Sequence, residues 1–340
     1  MQNLKLIKDS KYSSNNSNFD SIMKWLNLDF EKVNDVILTN MRSKVPLISQ
    51  LSGYIISSGG KRIRPLLTLA TSRLCKYTGE RHINLAASIE FIHTATLLHD
   101  DVVDESMNRR GKISAHNVWN NKSSILVGDF LLSKAFRLMI KDGSNRCLDT
   151  LSKASVEISQ GEVLQLLTNN NIRTSESQYF DVINAKTAAL FSAACVTSAI
   201  ISEVNKEKEV ALFEYGKYLG TAFQITDDTF DYYSTYKNLG KDIGDDFKEG
   251  KVSLPIILAF NRSNEQEKNF WLRVINEKKQ RKGDLLTALK IIEKYNVIKD
   301  CFNKARHFAT MAKDSLGPFE NSDEKEKLLN LADFSVDRSS

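Results

Sequence analysis

The sequence predicts an all-α protein built as one large helical bundle, on three observations. Apolar residues recur at helical spacing in segment after segment, while alternating β-type runs are scarce. Helix breakers are few, with 4 Pro and 15 Gly in 340 residues. No linker-like stretch or fixed-period repeat divides the chain, so residues 20–340 read as one domain.

Met1 to about Phe19 is rich in Ser, Asn and Lys and has no apolar centre. It reads as a flexible arm, unlike a secretory signal or an Arg-rich transit peptide. Helical periodicity then runs from about Phe19 to Ser58, where Ser57-Ser58-Gly59-Gly60 marks a stop. An amphipathic helix is expected from Pro65 to about Tyr77, and a longer one from near Arg81 to about Glu105, followed by a polar loop at Asn108–Lys112. Further helices are expected over Ser123–Lys141, Arg146–Thr168, Ser175–Glu203 and Lys206–Ser234. A Gly-punctuated polar loop, Lys237–Lys251, precedes helices from Leu254 to near Asp333.

Composition narrows the function classes. Hydrophobic residues make up 41% and charged residues 26%, an ordinary globular balance. The net charge of +5 is spread among interleaved acids, as in Gln266–Asp284, which suits solvated helix faces and argues against a nucleic-acid partner. Cys75, Cys147, Cys195 and Cys301 are far apart and form no C-x-x-C pair. They read as core residues in a reducing, cytoplasmic setting, without a zinc or disulfide framework. No apolar run reaches the roughly 18 residues of a transmembrane segment, and Ala188–Ile201 reads as a buried helix.

The chemistry gathers at two acidic clusters, Asp100-Asp101-x-x-Asp104 and Asp227-Asp228-x-x-Asp231. On a helix, Asp100 and Asp104 share a face, as do Asp227 and Asp231. Like charges at that spacing destabilise an isolated helix by about 0.2–0.5 kcal/mol per pair, so both clusters ask for counter-charge. Hard divalent cations suit such oxygen ligands, and Mg²⁺ characteristically bridges carboxylates to phosphates. Lys61 and Arg64, Arg109 and Arg110, and Lys241 and Lys251 lie near expected helix ends or loops, where they can converge on an anion. Any one of them alone would read as a surface base. Together with the acidic clusters they imply a phosphorylated ligand held partly through metal.

Other features refine this reading. Gly59-Gly60-Lys61 lacks the rest of a P-loop, and Pro65 follows. Ile89, His93 and Thr96 fall within about 40° of Asp100 around the helix. His93 reads either as a satisfied core histidine or as a donor to phosphate. His99-Asp100 matches the metal-binding pair of helical phosphohydrolases, but no second upstream His accompanies it. Gln224 stands one turn before the second cluster, and Lys186-Thr187 interrupts an otherwise apolar helix.

These residues fall into an ordered set of motifs: G-K-R-I-R-P at Gly60–Pro65, E-F-I-H-T-A-T-L-L-H-D-D-V-V-D-E at Glu90–Glu105, and R-R-G at Arg109–Gly111. V-G-D-F at Val127–Phe130, G-E-V-L-Q-L at Gly161–Leu166, K-T at Lys186–Thr187 and G-T-A-F-Q-I-x-D-D-x-x-D at Gly220–Asp231 complete it. In content, order and spacing, the chain from about Leu28 onward resembles the trans-prenyl diphosphate synthases, and within them the long-chain, octaprenyl branch. Thr229 and Phe230, where aliphatic residues are common, and Gln160 before Gly161 are small departures that alter no ligand.

The resemblance implies an isoprenoid-synthase bundle around a central active-site cavity. It implies a Mg²⁺-dependent prenyltransferase that adds isopentenyl diphosphate to an allylic diphosphate such as farnesyl diphosphate, by ionisation, condensation and elimination. The product would be a long all-trans chain supplying a quinone side chain, and the assembly a homodimer. Asp100, Asp101 and Asp104 would hold Mg²⁺ on the allylic diphosphate, and Asp227, Asp228 and Asp231 the remaining Mg²⁺. Arg109, Lys186, Thr187, Gln224 and Lys241 would bind the allylic substrate; Lys61, Arg64, His93 and Arg110 would bind isopentenyl diphosphate. Lys251 matches a further basic position.

Ala95 and Thr96 are small, which leaves the pocket unplugged beside Asp100. Met139 and Leu151 are expected as its floor, with plain core packing as the alternative. A class I terpene cyclase would share the fold and first acidic motif but needs neither the second cluster nor the full basic set. A subunit of a heteromeric synthase would be expected to have lost carboxylates, whereas all six are present. A shorter-chain, geranylgeranyl-type synthase remains open.

Overall fold

The structure, a computed structural model, describes residues 19–109, 111–233 and 244–337. The expected arm, residues 1–18, therefore lies outside the described residues. Phe19 does not belong to it: it opens a helical segment, 19–25, and its ring stacks on Phe334 with centroids 4.5 Å apart.

The first apolar stretch divides into α1 (Asn27–Met41) and α2 (Pro46–Ser57), with Pro46 in the first turn, where its missing N–H leaves no bond unmade. α3 (Ile63–Leu74) leads to α4 (Arg81–Val103), which carries the first acidic cluster at its C-terminal end. α4 is buried on nearly all sides, because α1, α3, α6 and α9 surround it. The expected loop at Asn108–Lys112 is instead a small antiparallel hairpin, β1 (Asn108–Arg109) with β2 (Lys112–Ile113). A short helix, α5 (Ala115–Val118), follows.

α6 (Asn121–Asp142) and α7 (Asn145–Thr168) begin at side-chain caps supplied by Asn120 and Ser144. α8 (Glu176–Ile183) starts with a capping box between Ser175 and Gln178. The single expected helix through this region is broken by a π-turn, Asn184–Ala188, before α9 (Ala189–Ile201), in which every residue is buried. Glu176–Ile201 has the length and composition of a membrane span, yet 78% of its apolar window is buried inside the bundle, which accounts for that composition. α10 (Lys206–Tyr233) carries the second acidic cluster. The chain continues through α11 (Asp245–Glu249), α12 (Leu254–Arg262), α13 (Glu265–Trp271), α14 (Asp284–Lys294), α15 (Val297–Ser315) and α16 (Asp323–Asp337). A second π-turn, Leu272–Asn276, follows α13.

Two apolar cores result. One joins α1–α4, α6, α7 and α9 to the first half of α10; the other joins α8 and the second half of α10 to α11–α15. α10 runs through both, and so brings its carboxylates to a cavity lined from both sides.

Candidate active site: two carboxylate jaws across one cavity

A cavity of about 880 Å³ is lined by α3, α4, α7, α8, the π-turn, α10 and the segment 245–253. Asp100 and Asp104 line it from α4, and Asp227 and Asp231 from α10. The i, i+4 spacing thus gives each jaw a pair of cavity-facing carboxylates. The second aspartate of each motif is buried and hydrogen-bonded to its neighbours, although Asp228, unlike Asp101, also lines the cavity. Asp101 is fully buried and accepts from Arg109 Nε at 2.8 Å. Asp228 accepts from Tyr179 Oη at 2.6 Å and from Gln224 Nε2 at 2.7 Å.

The π-turn joins the two jaws. On one side the Lys186 ammonium sits 2.7 Å from Glu162 and 3.7 Å from Asp100. On the other, Thr187 Oγ1 donates to Gln224 Oε1 at 2.7 Å, and Thr221 on α10 donates to Asn184 at 2.9 Å. Glycines let the neighbouring helices come this close. A Cβ on Gly161 would fall 2.6 Å from the Lys186 nitrogen, and one on Gly220 would fall 2.7 Å from Ala188 Cα. These are the glycines of the G-E-V-L-Q-L and G-T-A-F-Q motifs.

A second joint lies at the jaw tips. Lys251 lies 3.3 Å from Asp104 and 2.6 Å from Glu249. The backbone N–H groups of Asp245 and Asp246 donate to the two oxygens of Asp231 at 3.1 Å each. Helix α11 thereby fixes the second jaw while its lysine neighbour reaches the first.

So many carboxylates in one buried place resist ionisation. Burial above all, reinforced by Asp246, pushes Asp228 up to about 8 and Asp231 up to about 7. Burial and the charge of Asp100 raise Glu162 to about 7. Burial raises Asp246 to about 6 against the pull of Lys251. Lys251 is held well above its ordinary value, since Asp246, Asp104 and Glu249 outweigh its desolvation. This is the field a divalent cation would satisfy.

The donor set also fits one. It is all carboxylate oxygen, and the buried Asp101 Oδ2 and Glu162 Oε1 have no hydrogen-bond partner among the described residues. No three of these side chains, among the described residues, are grouped tightly enough to enclose an ion alone.

Of the expected basic set, Lys61, Arg64, His93, Arg109, Lys186 and Lys251 all line the cavity, as do Thr187 and Gln224. Arg64 lies 3.1 Å from His93 Nε2, with its guanidinium over the Phe191 ring. Arg110 and Lys241 lie outside the described residues. Thr96 lines the cavity, but Ala95, Met139 and Leu151 are packed in the first core, away from its lining. Ala95 sits about 140° around the helix from Asp100, facing the bundle interior. Ile89 is likewise sealed in the core, while Thr96 and Leu97 on the helix of the first jaw and Phe223 on that of the second line the cavity.

Sequence reasoning missed Glu162, Tyr179 and Asp246. Glu162 lay inside a quoted motif without a role, and Asp246 lay in a stretch read as a polar loop. Tyr179 had no signal at all, because its partner is 49 residues away on another helix.

Comparison with known proteins agrees with this geometry. Residues 45–292 match the polyprenyl synthetase family. Over 319 residues the chain is 41% identical to the octaprenyl diphosphate synthase of Haemophilus influenzae, covering 94% of this chain and 97% of that one. A polyprenyl synthase of Caulobacter crescentus, solved with calcium and isoprenyl diphosphate, superposes with a TM-score of 0.92 at 43% identity, covering 95% and 98% of the two chains. A decaprenyl diphosphate synthase of Rhodobacter capsulatus gives 0.90 at 43% identity, covering 94% and 98%. The chain belongs to the polyprenyl synthetase family, an all-α family of prenyltransferases.

Proposed function

We propose that this protein is a Mg²⁺-dependent long-chain all-trans polyprenyl diphosphate synthase of the octaprenyl class. One observation carries the reading: two carboxylate jaws line a single cavity, each beside its own set of basic and polar groups. Lys61 just before α3, Arg64 on α3 and His93 on α4 form the set for isopentenyl diphosphate. Arg109, Lys186, Thr187 and Gln224 form the set between the jaws, for the allylic diphosphate. The 41% identity to an octaprenyl diphosphate synthase supports the chain-length class.

Asp100, Asp104, Asp227 and Asp231 would hold Mg²⁺, with Asp101 supporting them from the packing and Asp228 from the cavity wall. When bound, Mg²⁺ neutralises charge on the departing diphosphate. Lys186 and Arg109 orient that diphosphate and stabilise its negative charge as the C–O bond breaks. Leu97, Val182, Phe223 and Phe230 keep water from the allylic cation. The double bond of isopentenyl diphosphate, held by the Arg64–His93 pair, then attacks the cation and forms the new C–C bond. The released diphosphate takes the proton lost in restoring the double bond.

We also propose a homodimer. Leu126 and Ile140 on α6, with Val156, Val163 and Leu167 on α7, are all more than half exposed, an apolar surface suited to a second copy. Sedimentation giving a monomer would refute it. The function is tested by incubating purified protein with farnesyl and isopentenyl diphosphates and Mg²⁺, then sizing the products by mass spectrometry. Products near eight isoprene units are expected, roughly, from the relatives. Termination at geranylgeranyl length would favour the shorter-chain reading, and product formed only with a second subunit would favour the heteromeric one.

A further inference from the structure

Tyr179 belongs to none of the groups that would touch a diphosphate, yet it lines the cavity and is almost completely buried. Its hydroxyl donates to Asp228 Oδ2 at 2.6 Å. Asp228 Oδ1 takes the Gln224 amide nitrogen at 2.7 Å, and the Gln224 carbonyl takes the Thr187 hydroxyl at 2.7 Å. The four side chains form one directed chain. Both Asp228 oxygens accept, one from Tyr179 and one from Gln224, so Asp228 fixes which way the Gln224 amide points, and that in turn fixes the Thr187 hydroxyl. Both ends of the chain are anchored in one segment: Tyr179 stands on α8, and Thr187 on the π-turn that follows it.

We propose that Tyr179 is a positioning residue for the allylic diphosphate site, holding Asp228 so that Gln224 and Thr187 meet the ligand in a single orientation. The inference rests on the function proposed above. Without the phenol, Asp228 loses its donor on one side and can rotate about its χ angles. Gln224 is then free to flip its amide, and Thr187 to turn its hydroxyl. Lys186, next to Thr187 on the same turn, is held separately by Glu162 and Asp100, so the loss is partial. The isopentenyl site, on α3 and α4, shares no member of this chain.

Tyr179→Phe removes one oxygen and keeps the ring, which packs edge-on to Phe180 with centroids 5.5 Å apart. The expected result is about tenfold weaker binding of farnesyl thiodiphosphate, a non-reacting allylic analogue, measured calorimetrically with Mg²⁺. The KM for isopentenyl diphosphate should be unchanged, and so should the thermal midpoint within a few degrees, roughly what loss of one exchanged hydrogen bond allows. In a double-mutant cycle, Tyr179→Phe should add little to Gln224→Ala, since both break the same chain. Three outcomes would overturn the proposal: wild-type affinity in Tyr179→Phe, equal weakening for both substrates, or full multiplication with Gln224→Ala. A wild-type protein that makes no polyprenyl product would instead refute the function itself, before any variant is measured.

Discussion

The Lys186 ammonium lies 2.7 Å from the Glu162 carboxylate, and only then, at 3.7 Å, reaches Asp100. The lysine is therefore aimed at the first jaw by a carboxylate on a different helix, not by the aspartate it serves. Glu162→Gln keeps the shape and removes that charge. The kcat/KM for farnesyl diphosphate should fall about tenfold, with the KM for isopentenyl diphosphate unchanged, as expected for losing a charge-assisted bond. Unaltered kinetics would show that Asp100 alone is enough to orient Lys186.

Removal of divalent metal with EDTA should abolish product formation, and added Mg²⁺ should restore it. Asp100→Ala and Asp227→Ala should each lower kcat by about 10² to 10³ or more, the scale of losing a main electrostatic contributor. Circular dichroism should show helicity retained. Either variant turning over near the wild-type rate would remove that aspartate from the metal site.

The raised carboxyls have a consequence for stability. In the unfolded chain, Glu162, Asp228 and Asp231 titrate near about 4, while in the folded chain they titrate at about 7, about 8 and about 7. Between these limits the metal-free folded state binds more protons than the unfolded one, so stability falls as pH rises. The thermal midpoint of metal-free protein should drop between about pH 5 and pH 8. Mg²⁺ with inorganic diphosphate should flatten that slope, because bound cations displace the protons. A midpoint independent of pH without metal would mean these groups keep their ordinary values.

Met139 and Thr96 should separate packing from product length. Met139 is sealed in the core, so Met139→Ala should cost about 2–5 kcal/mol of stability and leave the product distribution unchanged. Thr96 lines the cavity beside the first jaw, so Thr96→Phe should shorten the product as seen by mass spectrometry. Shorter or longer products from Met139→Ala would restore it as the floor.

Much of this was legible in the sequence because it is local. The 3.6-residue period marked the helices, and the i, i+4 aspartates marked both jaws. The hairpin at Asn108–Ile113 escaped because two residues per strand show no alternation. The π-turn escaped because the helical apolar pattern continues on either side of it. For Met139 and Leu151 the sequence left floor and plain core open for another reason: apolar periodicity tells which side of a helix is buried, but core and cavity wall look alike to it. Glu162 and Tyr179 derive their meaning from partners on other helices, which no local pattern displays.

The π-turn at Asn184–Ala188 acts as a spacer in an otherwise regular rod. Each residue of an α-helix advances the chain by about 100°, and a π-turn holds one residue more than its α-helical equivalent. Deleting Ala185 would take out that extra residue and let the segment close into ordinary helix. Lys186 and Thr187 would then project from a narrower α-helical turn, out of line with Glu162 and Gln224, although both side chains were still present. The reach of Lys186 and Thr187 toward the two jaws is thus stored partly in a count of residues, which point substitution leaves intact and a single-codon deletion would erase.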